Sequence, residues 1–85
     1  MYVIVVYDVK QERVNKFCKF LRMYLHHVQN SVFEGELTES QYEEIKYSLK
    51  KMVKDRDSVI LFCLRNKWFN REIIGLEKNA PSNLI

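Results

Sequence analysis

Two uninterrupted apolar runs constrain this chain most: VIVVY at residues 3–7 and VILFCL at residues 59–64. β-branched runs without polar alternation read as interior strands covered on both faces, not as strands of a half-solvated sheet. Both fall far short of the roughly 20 apolar residues that a helix needs to span a bilayer, so no membrane segment is expected. With 85 residues the chain is expected to form one domain, able to bury only roughly 60 to 70% of the surface its unfolded form exposes. A core this thin favours association with a second copy.

Between the two runs the period changes. From Lys10 to about Leu25, Val14, Phe17, Cys18, Leu21 and Leu25 recur at helical spacing. Arg13, Lys16, Lys19 and Arg22 lie mostly off that stripe and give the helix a basic face. HHVQNSVFEGEL is richer in β-branched and aromatic residues, and predicts strands around 27–33 and 35–38 joined near Glu34 and Gly35. Thr38 and Gln41 have the spacing of a capping box, and Tyr42, Ile45, Leu49, Met52 and Val53 carry the apolar stripe of a second helix. After the 59–64 strand, RNKWFN reads as a polar aromatic loop and residues 71–77 as a last short strand, with Gly75 at a bulge or close approach.

The order strand, helix, strand, strand, helix, strand predicts an α+β fold of ferredoxin-like βαββαβ type, an antiparallel sheet with both helices on one face. The strand at 71–77 is one more than that fold requires. It either extends an edge of its own sheet or adds to a partner's, and the second arrangement removes exposed edges from both copies. Residues 1–78 are assigned to the domain and 79–85 to a tail.

Charge and cysteine content narrow the classes. Fourteen Lys and Arg against 11 Asp and Glu leave a net charge of +3, a mild bias toward anionic partners. Cys18 and Cys63 fall within apolar patterns, without metal-ligand or disulfide spacing, and read as free thiols. No basic leader or small-residue cleavage site flanks the first run, and a cytoplasmic protein is expected.

The candidate chemistry centres on Asp8. A carboxylate closing an interior strand either caps the following helix or is presented by the rigid sheet to a hard cation. Magnesium is commonly held by only one or two protein carboxylates, with water and phosphate completing its shell, so two copies of Asp8 meeting across a two-fold axis make a usable site. No Ser-His-Asp or Cys-His arrangement and no Gly-rich phosphate loop is present. Lys46, Lys50 and Lys54, four residues apart, form either a solvated face or a phosphate-tracking stripe, joined in the latter case by Lys16 and the basic face of the first helix. Trp68 and Phe69 suit either base stacking or coverage of a sheet edge.

VIVVYDV, RVNKFCKFLR, VQNSVFEGELT and IIGLEKN, in this order and spacing, resemble the family of the second CRISPR-associated protein, the small partner of the CRISPR integrase in spacer acquisition. The resemblance covers essentially the whole chain. It implies a ferredoxin-like homodimer whose final strand is exchanged with the partner's sheet, and a magnesium-dependent endonuclease acting on single-stranded RNA or duplex DNA, with Asp8 as catalytic residue and as metal ligand from each protomer. It also implies a scaffold role, the dimer bridging integrase dimers along duplex DNA. Tyr7, Arg13, Ser31 and Phe33 fall on further motif positions, Arg13 to contact phosphate or hold the Asp8 region and Phe33 to pack. The chain departs from the family at His27, where relatives commonly carry Arg; a neutral His lacks the fixed charge and planar fork that suit phosphate. Arg13, Lys16, His27, Lys46 and Lys50 are the candidate nucleic-acid contacts. A non-catalytic ferredoxin-like RNA-binding or interaction module and a toxin-like small ribonuclease are the competing readings, the latter weakened by the lack of a second acid or base beside Asp8.

Overall fold

The structure, a computed structural model, describes residues 1–65 and 68–76, with residue 68 described by its backbone alone. Its elements are β1 (Tyr2–Asp8), α1 (Gln11–Arg22), β2 (His26–Gln29), β3 (Val32–Glu36), α2 (Glu39–Met52), β4 (Ser58–Arg65) and β5 (Trp68–Gly75). The five strands form one sheet in the order β2-β3-β1-β4-β5, and every neighbouring pair is antiparallel. The two apolar runs lie side by side at its centre, as their composition requires. Each helix links two parallel strands separated by one intervening strand, the split βαβ arrangement of the ferredoxin-like fold. No helix among the described residues is long and apolar enough to cross a membrane.

Both helices form where the apolar period predicts them. Thr38 Oγ1 accepts the Gln41 N–H at 3.1 Å, and Gln41 Oε1 accepts the Thr38 N–H at 3.0 Å, closing the capping box. Two of the orphan donors at the start of α2 are thereby satisfied. Phe17 and Leu21 of α1 and Tyr42, Ile45 and Leu49 of α2 bury themselves on Val3, Val5, Val59 and Leu61. Cys18 and Cys63 are both free thiols.

Three local expectations are corrected. The hairpin joining β2 and β3 turns at Asn30 and Ser31, not at Glu34 and Gly35. Asn30 takes the left-handed φ of 39°, which its short polar side chain tolerates. Gly35 lies within β3, where a Cβ would meet Leu25 Cδ2 at 3.1 Å; it marks close packing of strand on chain, a role glycine also fills. The helix ends at Met52, so Lys54 lies beyond it and the row Lys46, Lys50, Lys54 is cut by one member. The stretch read as an aromatic loop is strand from Trp68 onward, because β4 supplies a partner for each residue from Trp68 to Gly75.

β5 runs along β4 of its own chain. Its side facing the helices is tied to α2: Tyr42 donates its hydroxyl to Glu72 Oε2 at 2.7 Å, and Lys46 Nζ lies 3.2 Å from the same oxygen. Exchange with a partner's sheet therefore requires the strand to leave an edge it already occupies. Residue 77 of the expected strand and the tail at 79–85 lie outside the described residues.

Among the described residues the sheet has one covered face and one bare face. Side chains alternate along a strand, and Val3, Val5, Tyr7, Val59, Leu61 and Cys63 are buried toward the helices. Their neighbours Ile4, Val6, Ile60 and Phe62 are only half-buried, and Leu64 and Phe69 are exposed. Among the described residues the predicted coverage of both faces is thus met on one side only. A hollow of about 90 Å³ on the bare side is lined by Tyr2, Ile4, Phe62, Leu64 and Phe69.

Candidate active site and nucleic-acid surface

Asp8 is the last residue of β1, exposed at the rim of the bare face and paired in register with Ser58 of β4. It is not the N-cap residue of α1, a position that Lys10 occupies. The sheet holds Asp8 from both sides, since β4 pairs with it and the preceding Tyr7 N–H donates to the Ser31 carbonyl at 3.1 Å.

Behind Asp8 lies a polar centre that the sequence reading did not single out. Asp57 is 1% exposed. Its Oδ2 accepts from Arg13 Nε at 2.6 Å and from the Lys54 N–H at 3.0 Å, and its Oδ1 from Arg13 Nη2 at 2.8 Å and the Lys10 N–H at 3.2 Å. The Arg13 fork meets both carboxylate oxygens, the geometry that makes such pairs strong. The Arg13 hydrogen bonds, assisted by the two backbone donors and opposed by burial, hold the Asp57 carboxyl down to about 2. The Asp57 carbonyl accepts the Leu76 N–H at 2.9 Å. One residue thus joins the β1–α1 connection, the first turn of α1, the end of α2 and the end of β5. Gly75, at φ 95°, permits that junction, because a Cβ there would collide with the Asp57 carbonyl oxygen.

Arg13 is consequently a structural arginine, with its side chain 13% exposed. A signal for this exists in the sequence: Arg13, Phe17 and Leu21 are spaced by four, and the latter two are fully buried, so Arg13 continues the inward line of α1 instead of its basic face. Lys46 follows the same logic one helix later. It lies four residues after the buried Tyr42, its ammonium 4.7 Å from that ring's centre and within 3.3 Å of Glu43 and 3.2 Å of Glu72. Burial, reinforced by the hydrogen bond to Glu72, pushes the Tyr42 hydroxyl well up, and that same bond lowers Glu72. Lys16 and Lys50 are exposed and remain on the outer surface of the helices.

The other motif positions form an aromatic column. Phe17, Tyr7, Phe33 and His27 stack in turn, with ring centres 5.6, 6.1 and 4.5 Å apart. Phe33 is fully buried and packs as expected. The Tyr7 pKa is raised, chiefly by burial; Ser31 lies near enough to oppose the rise, yet no hydrogen bond of acceptable geometry satisfies the buried hydroxyl among the described residues. His27 is exposed, with Nε2 2.6 Å from the Asn30 carbonyl oxygen and Nδ1 3.4 Å from Arg22 Nη2. It therefore closes the β2–β3 turn and brings Arg22 to the position next to it. The side chain of Trp68 lies outside the described residues; Phe69 sits on the bare face, 5.8 Å from Phe62 between ring centres.

Among the described residues no three His, Cys, Asp or Glu side chains gather into a metal-binding group. Asp8 alone fits magnesium in the sense that this ion commonly takes one or two carboxylates and completes its shell from water and phosphate.

Comparison with known proteins agrees with this architecture. The family described as CRISPR associated protein Cas2 matches residues 1–72. The chain is 55% identical to the CRISPR-associated endoribonuclease Cas2 of Pyrococcus furiosus and 51% identical to that of Thermococcus kodakarensis, in both cases over the full length of both proteins. A solved structure described as "Crystal structure of cas2" superposes with a TM-score of 0.75 at 49% identity, covering 94% of this chain and 92% of that one. The Streptococcus pyogenes Cas2 structure at pH 6.5 has a TM-score of 0.68 at 33% identity, over 76% and 87% of the two chains. Matching the family over most of its length and its relatives over all of it, with the strand order and helix placement that its motifs imply, the chain belongs to the CRISPR-associated Cas2 family.

Proposed function

We propose that the protein is a homodimeric, magnesium-dependent endonuclease of CRISPR adaptation, which also serves as the scaffold that bridges integrase dimers on duplex DNA. The observation that carries this reading is the position of Asp8, exposed at the end of a central strand on the rim of an apolar sheet face that none of the described residues covers. The names of its relatives as endoribonucleases support cleavage of RNA phosphodiesters; single-stranded RNA and duplex DNA are the substrate classes proposed. A bound magnesium ion supplies an activated water and offsets the charge that develops on phosphate. The chain's own part is to hold Asp8 rigidly, through β4 pairing and the Asp57 junction two residues behind it, and to bring a second Asp8 by dimerisation. Lys16 and Lys50 offer cations to the phosphate backbone, whereas Arg13 and Lys46 serve the fold.

Cleavage of labelled single-stranded RNA and duplex DNA by the purified dimer, with magnesium or with EDTA, tests the catalytic reading. Asp8→Asn is expected to lower the magnesium-dependent rate by at least about a hundredfold, with circular dichroism and molecular mass unchanged. Equal cleavage by both proteins overturns it. Absence of cleavage by either favours the second reading, a non-catalytic nucleic-acid scaffold, which gains support from the single carboxylate that each chain contributes.

The binding surface has its own signature. Lys16→Gln and Lys50→Gln are each expected to reduce the slope of log affinity against log salt by about 1, the loss of one phosphate contact. Lys46→Gln is expected to leave the slope unchanged, since its ammonium is held by Glu43 and Glu72. Unchanged slopes for Lys16→Gln and Lys50→Gln would remove those two residues from the interface.

A further inference from the structure

His27 is held from three sides, and its contacts determine which ring nitrogen carries the proton. The ring lies flat on Phe33, 4.5 Å between centres and 12° from parallel. Nε2 stands 2.6 Å from the Asn30 carbonyl oxygen; a carbonyl only accepts, so Nε2 is the donor. In the neutral ring Nδ1 then keeps its lone pair and accepts from Arg22 Nη2 at 3.4 Å. That bond is long, and Arg22 has no ion pair among the described residues.

The surroundings of His27 offer it no anion. α1 is the helix that lies over β2, and it presents Arg22 and, one turn earlier, Cys18; both act on the Tyr7 hydroxyl of β1, as does Ser31 from the turn. That hydroxyl is buried without a hydrogen bond among the described residues. His26 and Glu34 are paired in register on β2 and β3, one residue away from His27 and Phe33, so they point to the opposite sheet face. Glu36 shares that face with Glu34. No carboxylate of β2 or β3 therefore faces His27.

Protonation of Nδ1 turns the acceptor into a donor aimed at a guanidinium. The Phe33 stack and the Asn30 contact keep the ring from turning away, so two cations converge on one point. Like charges so close repel unless an anion joins them.

We propose that Arg22 and protonated His27 form a phosphate site in the cleft between α1 and the β2–β3 hairpin. The inference rests on the nucleic-acid binding proposed above and adds a backbone contact on the helical side of the sheet, away from the face that Asp8 borders. One non-bridging oxygen accepts from His27 Nδ1–H, and the Arg22 fork engages the same oxygen and a second one. Imidazoles gain the required proton between about pH 8 and pH 5. A phosphodiester keeps its single charge through that range, so the change in affinity belongs to the protein.

Duplex binding measured by fluorescence anisotropy over a salt series at pH 6 and pH 8 tests the site. The parent is expected to bind about tenfold more tightly at pH 6, with the slope of log affinity against log salt steeper by about 1. His27→Gln and Arg22→Gln are each expected to abolish the gain, and His26→Gln, on the opposite face, to keep it; circular dichroism checks the fold of each variant. Inorganic phosphate and the duplex are each added to the parent at pH 6 while the NMR signals of the His27 ring and the Arg22 guanidinium are followed. Both signals are expected to shift with the duplex; shifts with inorganic phosphate alone would assign the cleft to the free anion and overturn the backbone contact. A parent that binds no duplex at either pH removes the nucleic-acid reading itself. A parent that binds equally at both, or whose gain survives His27→Gln, overturns the site and leaves that reading standing.

Discussion

Asp57→Ala is expected to cost about 3 kcal/mol of folding free energy, since breaking a buried ion pair strands the remaining charge. Arg13 is left facing a cavity, and the Lys10 and Lys54 amides lose their acceptor. Arg13→Lys is expected to cost less, because an ammonium keeps the charge but not the fork that engages both oxygens. The pair also makes stability depend on acid. In the folded chain the carboxyl is held down to about 2, against 3.8 for the free group, so the unfolded state binds the proton more readily. The stabilisation is complete above about pH 5 and is lost as the pH falls through 4 toward 2. Urea unfolding at pH 6 and pH 3 measures both effects: the parent is expected to lose stability across that interval, and Asp57→Asn to show a smaller loss. A cost below about 1 kcal/mol for Asp57→Ala would mean that the junction contributes little to the fold.

Phe33→Ala is expected to cost about 3–5 kcal/mol, the range for truncating a fully buried aromatic ring. Its ring is stacked on Tyr7 on one side and on His27 on the other, so the cavity opens in the middle of a column and neither neighbour can close it without leaving the second. Domains of this size have total stabilities of roughly 4–13 kcal/mol, so the variant is expected to be partly unfolded at physiological temperature. Phe33→Leu preserves much of the volume and is expected to cost about 1.5 kcal/mol. The comparison separates two meanings of a motif position. If nuclease activity falls in step with the folded fraction in both variants, Phe33 acts through packing; loss in a fully folded Phe33→Leu chain would point to a direct role.

The elements were legible because their causes are local. The apolar runs at 3–7 and 59–64, the stripe of Phe17 and Leu21 and the Thr38 capping box each specify a conformation within a few residues, and each is found where expected. The misread turn also has a local cause: glycine at residue 35 outweighed Asn30 as a turn signal, although this glycine answers to the close approach of Leu25. β5 was harder to read. RNKWFN has no strand alternation of its own, and only the edge of β4 makes Trp68, Phe69 and Asn70 part of a strand.

The candidate site divides along the same line. Asp8 could be placed at a strand end from its sequence neighbours, and Phe33 could be expected to pack. The roles of Arg13 and Lys46 could not, because their partners Asp57 and Glu72 lie 44 and 26 residues away. Sequence alone specified the kinds and order of the elements, the antiparallel sheet and the carboxylate that ends its first strand. The tertiary structure decided which cations are bound internally, where the last strand lies and which apolar sheet face the described residues leave uncovered. Periodicity and capping act over a few bonds and are written in adjacent residues, whereas ion pairing and face coverage depend on which distant segments the packed core brings within a few ångströms.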